Sequence, residues 1–305
     1  VIGETAEMMP ASITIRSVHG AQTYQMEVLR NRDLGPRFIQ SAVVSSILTA
    51  EKAQGDATVN TRLSLMIEGQ PELTFENIYS GTRGLGEGVL GVTRPLQLLM
   101  QNPFERIRVE SAAFELEVAE DVKAARIQSI ALDRSRFEPG DRVGVKIELR
   151  PYLDVSKIVE SSIVIPSHVR SGTLVLRVSS AKSHIAQESK RIPANYRVSD
   201  VDNLVRVLKA EHRNDELIVE LLANRAGATV GGVELSSLPP SVATAMKRGR
   251  HSGSVRTVNQ TVVSESVTKT NFVLSGQQTV FLAVGTPGPG LRFSPGQPGP
   301  VPKKK

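Results

Sequence analysis

Apolar residues stand at every second position in segment after segment of this chain, and that spacing confines it to a fold built mainly from half-buried strands. The clearest run is Val143, Val145, Ile147 and Leu149, which follows the turn Arg136-Phe137-Glu138-Pro139-Gly140-Asp141. Ile13 and Ile15 alternate before His19-Gly20-Ala21, and Tyr24, Met26 and Val28 after it, which predicts a hairpin. A second hairpin is predicted from Val59, Thr61, Leu63, Leu65 and Ile67, a turn at Glu68-Gly69-Gln70-Pro71, and Leu73, Phe75, Asn77 and Tyr79. Ile163 and Ile165, then Leu174, Leu176 and Val178, continue the period from about 126 to 182. Short alternating strands joined by Pro-Gly turns are the pattern of a β-sandwich. Composition agrees: hydrophobics are 40% but aromatics only 4%, so the core must be built from Val, Ile and Leu, which favour strands.

The period changes in three places. Pro36 suits a first helical turn, and Phe38, Ile39, Val43, Val44, Ile47 and Leu48 form a broad apolar stripe, so a core-facing helix is expected up to about Gly55. A short helix is expected from Thr93 to Met100, with Pro95 near its start and Asn102-Pro103 closing it. Ser199-Asp200 caps a third, with Val201, Leu204, Val205 and Leu208 on one face, ending at Arg213-Asn214. Strands resume at Leu217, Val219 and Leu221, and between Val255 and Val284.

The expected class is therefore mainly β with a few helices (α+β), made of antiparallel β domains that include an Ig-like β-sandwich. Its expected parts are an α+β domain of hairpins with a core helix over 1–122 and a sandwich over 123–198. A helix with strands packing on these follows over 199–284, and a basic tail over 285–305. The tail is rich in Pro and Gly without a strict triplet repeat, which predicts extended polyproline-like chain. Leu291, Phe293 and Val301 are its sizeable apolar anchors.

Chemistry is sparse in the residues. There is no Cys, which removes disulfides, thiolate zinc sites and Cys nucleophiles. The five His (His19, His168, His184, His212, His251) lack ligand spacing, so neither a metal nor a cofactor is expected. Gly86-Glu87-Gly88-Val89-Leu90-Gly91 has the G-x-G-x-x-G form of a dinucleotide loop, but it does not close a strand and open a helix within a βαβ unit. A flexible connector is expected there. Ser252-Gly253-Ser254 beside His251 lacks an orienting acid, and the adjacent Lys247-Arg248-Gly249-Arg250 reads as a solvated loop. The charge of +6 is scattered, and neither basic cluster is interleaved with aromatics, so no nucleic acid is expected. No stretch reaches the roughly 18 to 20 apolar residues of a membrane span.

Several segments in order resemble a known family. Val1-Ile2-Gly3-Glu4, Met8-Met9-Pro10, Tyr24 to Arg30, Gly69-Gln70-Pro71, Phe137-Glu138-Pro139-Gly140-Asp141, Gly231-Gly232-Val233-Glu234-Leu235, Leu238-Pro239-Pro240-Ser241-Val242 and Val273-Leu274-Ser275-Gly276 look like the C-terminal, non-catalytic region of bacterial SpoIVB-type serine peptidase domain-containing proteins. In that family the peptidase part lies upstream, with a nucleophile loop and a His-containing segment that occur nowhere in this chain. The resemblance implies an exported bacterial product, extracellular, cell-surface or periplasmic, starting just downstream of a peptidase. No catalytic residue carries over, so no enzyme activity is expected.

The function expected on these grounds is that of a non-catalytic structural or interaction protein. It would self-assemble as a homo-oligomer or homopolymer, a fibre or tube, through its tail or an edge strand, and the upstream peptidase domain is a second partner the resemblance implies. The rival is a substrate-recognition or autoregulatory segment of the peptidase. A carbohydrate-binding sandwich is disfavoured by the absence of Trp.

Overall fold

A computed structural model of the chain describes residues 6–50, 56–196, 198–224, 227–230, 233–235, 255–258 and 260–285. Its first sheet runs in the order β2-β1-β5-β3-β4. These strands are β1 (Met8–Ser17), β2 (Gly20–Leu29), β3 (Ala57–Ile67), β4 (Leu73–Gly81) and β5 (Val109–Ala119). β1 and β5 are parallel, and the other neighbours are antiparallel. Two helices, α1 (Leu34–Ala50) and α2 (Gly84–Met100), fill the crossovers and cover the sheet face that carries Ile13, Leu63 and Phe114.

Both hairpins stand where alternation predicts them. α1 also does, but its stripe is split: Ile39, Val43 and Ile47 are buried while Phe38, Val44 and Leu48 are exposed. A helix lying on one sheet buries the row at i, i+4, i+8 and leaves the rest of a broad stripe outside.

α2 corrects the expectation of a Gly-rich connector. It begins at Gly84, nine residues before Thr93, so the whole G-x-G-x-x-G segment is helical and Pro95 lies inside the helix. Glycine disfavours helix by about 1 kcal/mol per residue in isolation, and close packing outweighs that here. A Cβ at Gly84 would overlap the Ala57 carbonyl, one at Gly91 would overlap the Tyr79 hydroxyl, and one at Gly88 would press on Val59 at 3.3 Å. The glycines let α2 lie directly against β3 and β4.

Two further sheets share a second apolar cluster, which contains Ile127, Val145, Ile147, Leu176, Val219 and Leu282. One runs β16-β6-β8-β9 and the other β15-β11-β10-β17-β7. Their strands are β6 (Ala124–Leu132), β7 (Arg136–Phe137), β8 (Arg142–Pro151), β9 (Lys157–Val164), β10 (Gly172–Ser180), β11 (Glu216–Ala223), β15 (Thr261–Lys269), β16 (Val273–Ser275) and β17 (Gln277–Val284). Strands from both sides of residue 199 thus meet in one sheet. β12 (Gly227–Val230), β13 (Val233–Leu235) and β14 (Val255–Val258) form a small third piece. The chain is mainly β in the α+β class, and no helix among the described residues is long and apolar enough to cross a membrane.

Two short helices link the halves. α3 (Ala181–Arg191) follows β10 directly, with the Ser180 hydroxyl accepting from the Ser183 amide. α4 (Val201–Lys209) is capped by Asp200, whose carboxylate accepts from the Asn203 amide at 2.7 Å. It ends four residues before Arg213. Leu204 and Leu208 of α4 pack into the first core, not the second. Past α4, Arg213 pairs with Glu76 at 2.9 Å, and the Asn214 side chain donates to the Ile78 carbonyl at 2.9 Å.

Candidate functional site

A dense polar assembly lies between α3 and the outer face of the five-stranded sheet of the second core. Alternation along β11 points Leu217, Val219 and Leu221 inward, so Glu216 and Glu220 point outward. Register then places Arg177 of β10 on one side of Glu220 and Glu265 of β15 on the other. α3 lies over this row, presenting His184 and Glu188 one helical turn apart. Covered in this way, Arg177 is 8% exposed and Glu220 is 0% exposed.

The contacts form a chain of alternating charge. Arg177 donates to both oxygens of Glu220, from Nε at 2.9 Å and from Nη2 at 3.1 Å, and Nη2 also reaches Glu188 at 3.2 Å. Glu188 in turn accepts from Arg191 at 2.8 and 2.6 Å. His184 Nδ1 lies 3.3 Å from Glu220 Oε2, and its ring meets His212 edge to face at 5.2 Å. His212 Nδ1 lies 3.0 Å from Glu216 Oε2, while Nε2 faces Glu265 Oε1 at 3.8 Å. Burial alone would raise the Glu220 carboxyl, but His184 and Arg177 hold it below the ordinary carboxylate range. Burial would lower His184, yet the hydrogen bond and charge of Glu220, helped by Glu188 and Glu265, raise it.

Ser179 sits two residues along β10 from Arg177, fully buried, and its hydroxyl has no hydrogen-bond partner among the described residues. An unsatisfied buried hydroxyl costs about 1 to 3 kcal/mol of desolvation. Ser179→Ala is therefore expected to stabilise the fold by about 1 kcal/mol in urea unfolding. A destabilisation of that size would show that the hydroxyl has a partner.

A cleft of about 620 Å³ opens between β4, α2 and α4, lined among others by Phe75, Tyr79, Arg94 and Glu211. Arg94 closes one wall by donating to both oxygens of Glu211, at 2.7 and 2.9 Å. Burial pushes the Tyr79 hydroxyl up to about 12, so it stays a protonated donor over the notch at Gly91.

The sequence motifs are distributed differently from these sites. The tail anchors Leu291, Phe293 and Val301, and His251, Ser252 and Ser254, lie outside the described residues. Of the other histidines, His19 is in the β1–β2 turn and His168 in an exposed loop, while His184 and His212, 28 positions apart in the sequence, meet in the polar cluster. Sequence reasoning missed α3, Arg177, Glu188 and Glu220. One signal was present: Ile218 and Leu222 are apolar at the outward phase of β11, which marks a strand covered on both faces. No family model, curated protein or solved structure matches this chain.

Proposed function

We propose that this chain is a non-catalytic, exported interaction protein that self-assembles by strand pairing, with the free edge of β2 as its contact. The observation that carries the reading is the character of that edge. β2 ends the first sheet, and among the described residues it pairs with β1 alone, over ten residue pairs without a bulge. It contains neither Pro nor Lys and a single charge, Glu27. Those are the devices with which native edge strands block pairing, and β2 has almost none of them. A second copy is a self-complementary occupant: an antiparallel pairing about Tyr24 sets Glu27 opposite Ala21, so no like charges meet. Export is supported by the ordered likeness to the non-catalytic region of SpoIVB-type proteins.

Light scattering on the full chain tests this. A dimer or larger species is expected, reduced to monomer by Thr23→Lys with Gln25→Lys, two exposed substitutions that leave the circular dichroism unchanged. Truncation after Gly285 distinguishes the tail as the contact: assembly surviving truncation supports β2, and assembly lost with Leu291, Phe293 and Val301 moves the contact to 286–305. A wild-type chain that stays monomeric across the concentration range overturns the reading.

A further inference from the structure

We propose that His184, His212, Glu220 and Glu265 bind a divalent transition-metal ion of the zinc class between α3 and the sheet. The first ground is geometric. One ligand atom each from His184, Glu220 and Glu265 lie within 4.8 Å of one another, and His212 Nε2 stands 3.8 Å from Glu265. Two donors about 2.1 Å from one tetrahedral ion are roughly 3.4 Å apart, so His184, Glu220 and Glu265 would draw together by up to about 1.4 Å per pair, and His212, beside Glu265 but outside that group, would swing in as the fourth donor. Imidazole with carboxylate is the donor set that suits zinc and its neighbours.

The second ground is how the donors are held. A carboxylate can only accept, so the 3.0 Å contact with Glu216 places a proton on His212 Nδ1, and in the neutral ring Nε2 then carries the lone pair, turned toward Glu265. That is the outer-shell arrangement that orients a metal-binding imidazole. Glu220 is likewise anchored from behind by both bonds from Arg177. Without an ion or a second proton, the His212 lone pair and the Glu265 oxygen would repel each other.

The third ground is charge. Among the described residues, Glu188, Glu216, Glu220 and Glu265 face the guanidinium groups of Arg177 and Arg191, and Arg213, which pairs with Asp215 and Glu76, also acts on Glu216. Carboxylates outnumber the cations that face them around the two imidazoles, and a bound cation would offset that excess. Glu265, the most exposed of the four ligands, leaves the ion a path from solvent.

The test uses the full chain, stripped with a chelator, and Zn²⁺ alone. One equivalent of zinc per chain by elemental analysis is expected, with a melting temperature that rises on zinc addition and returns with chelator. Cobalt in its place is expected to give the visible absorption of a tetrahedral site. Glu265→Gln, on an exposed position that tolerates change, is expected to abolish stoichiometric binding, and Glu216→Gln to weaken it about 10- to 100-fold through the lost orientation of His212. Absence of stoichiometric uptake overturns the proposal. So does uptake unchanged in Glu265→Gln and His212→Gln, which would place the ion on other residues.

Discussion

Glu220→Ala is expected to cost about 3 to 5 kcal/mol of folding stability, measured by urea unfolding in the presence of a chelator. Neither partner of the Arg177–Glu220 pair can turn to water, since one is 8% and the other 0% exposed. Removing the carboxylate strips the guanidinium of two bonds and leaves it only Glu188, which Arg191 already occupies. The penalty is that of a buried, poorly compensated charge, and the shared Glu188 places it toward the lower end of the range. Replacing the pair together, Arg177→Met with Glu220→Leu, is expected to be far milder, because both desolvation costs vanish with the ions. An equal loss in the single and double variants would show that the cost comes from a cavity and not from charge. The pH dependence has a definite sign. The Glu220 carboxyl is held below its ordinary value of 4.5, so its stabilisation is present above that pH and is lost as pH falls through the folded-state value. The Glu220→Ala variant is expected to lose less stability on acidification than the wild type.

Leu204→Asp is expected to be at least as damaging, about 4 kcal/mol or more. Leu204 is 6% exposed and packs with Leu208 into the first core, although its helix lies in the chain between β10 and β11, two strands of the second. A carboxylate there either stays ionised without a partner or takes up a proton, and in both cases the packing of α4 against the first core is lost. The Arg94–Glu211 pair beside it would be strained or broken, opening the cleft. Lys209→Gln, an exposed position on the same helix, is the control and is expected to stay within about 0.5 kcal/mol of wild type. If the two variants melt together, α4 is dispensable to the fold.

Elements set by local pattern were legible without coordinates. Alternation in Ile13–Ile15, Val59–Ile67 and Val143–Leu149 marks strands because a half-buried sheet demands period two, and Asp200 marks the start of α4 because its side chain satisfies an open amide. The mainly β, α+β class follows from these alone. Three features were decided only by the tertiary structure. The helix through Gly84–Gly91, which intrinsic propensity argues against, packs on β3 and β4 at a distance that leaves no room for a Cβ at Gly84 or Gly91 and little at Gly88. α3 carries few apolar residues, and its place is set by the buried ions beneath it, not by a hydrophobic stripe. The polar cluster draws on residues 177 to 265, because strand register sets Arg177, Glu220 and Glu265 side by side while α3 and the segment after α4 bring His184 and His212 over them. Spacing along a chain reports which face a residue occupies, whereas which faces meet depends on sheet order and crossover, and those are energies of packing shared by the whole molecule.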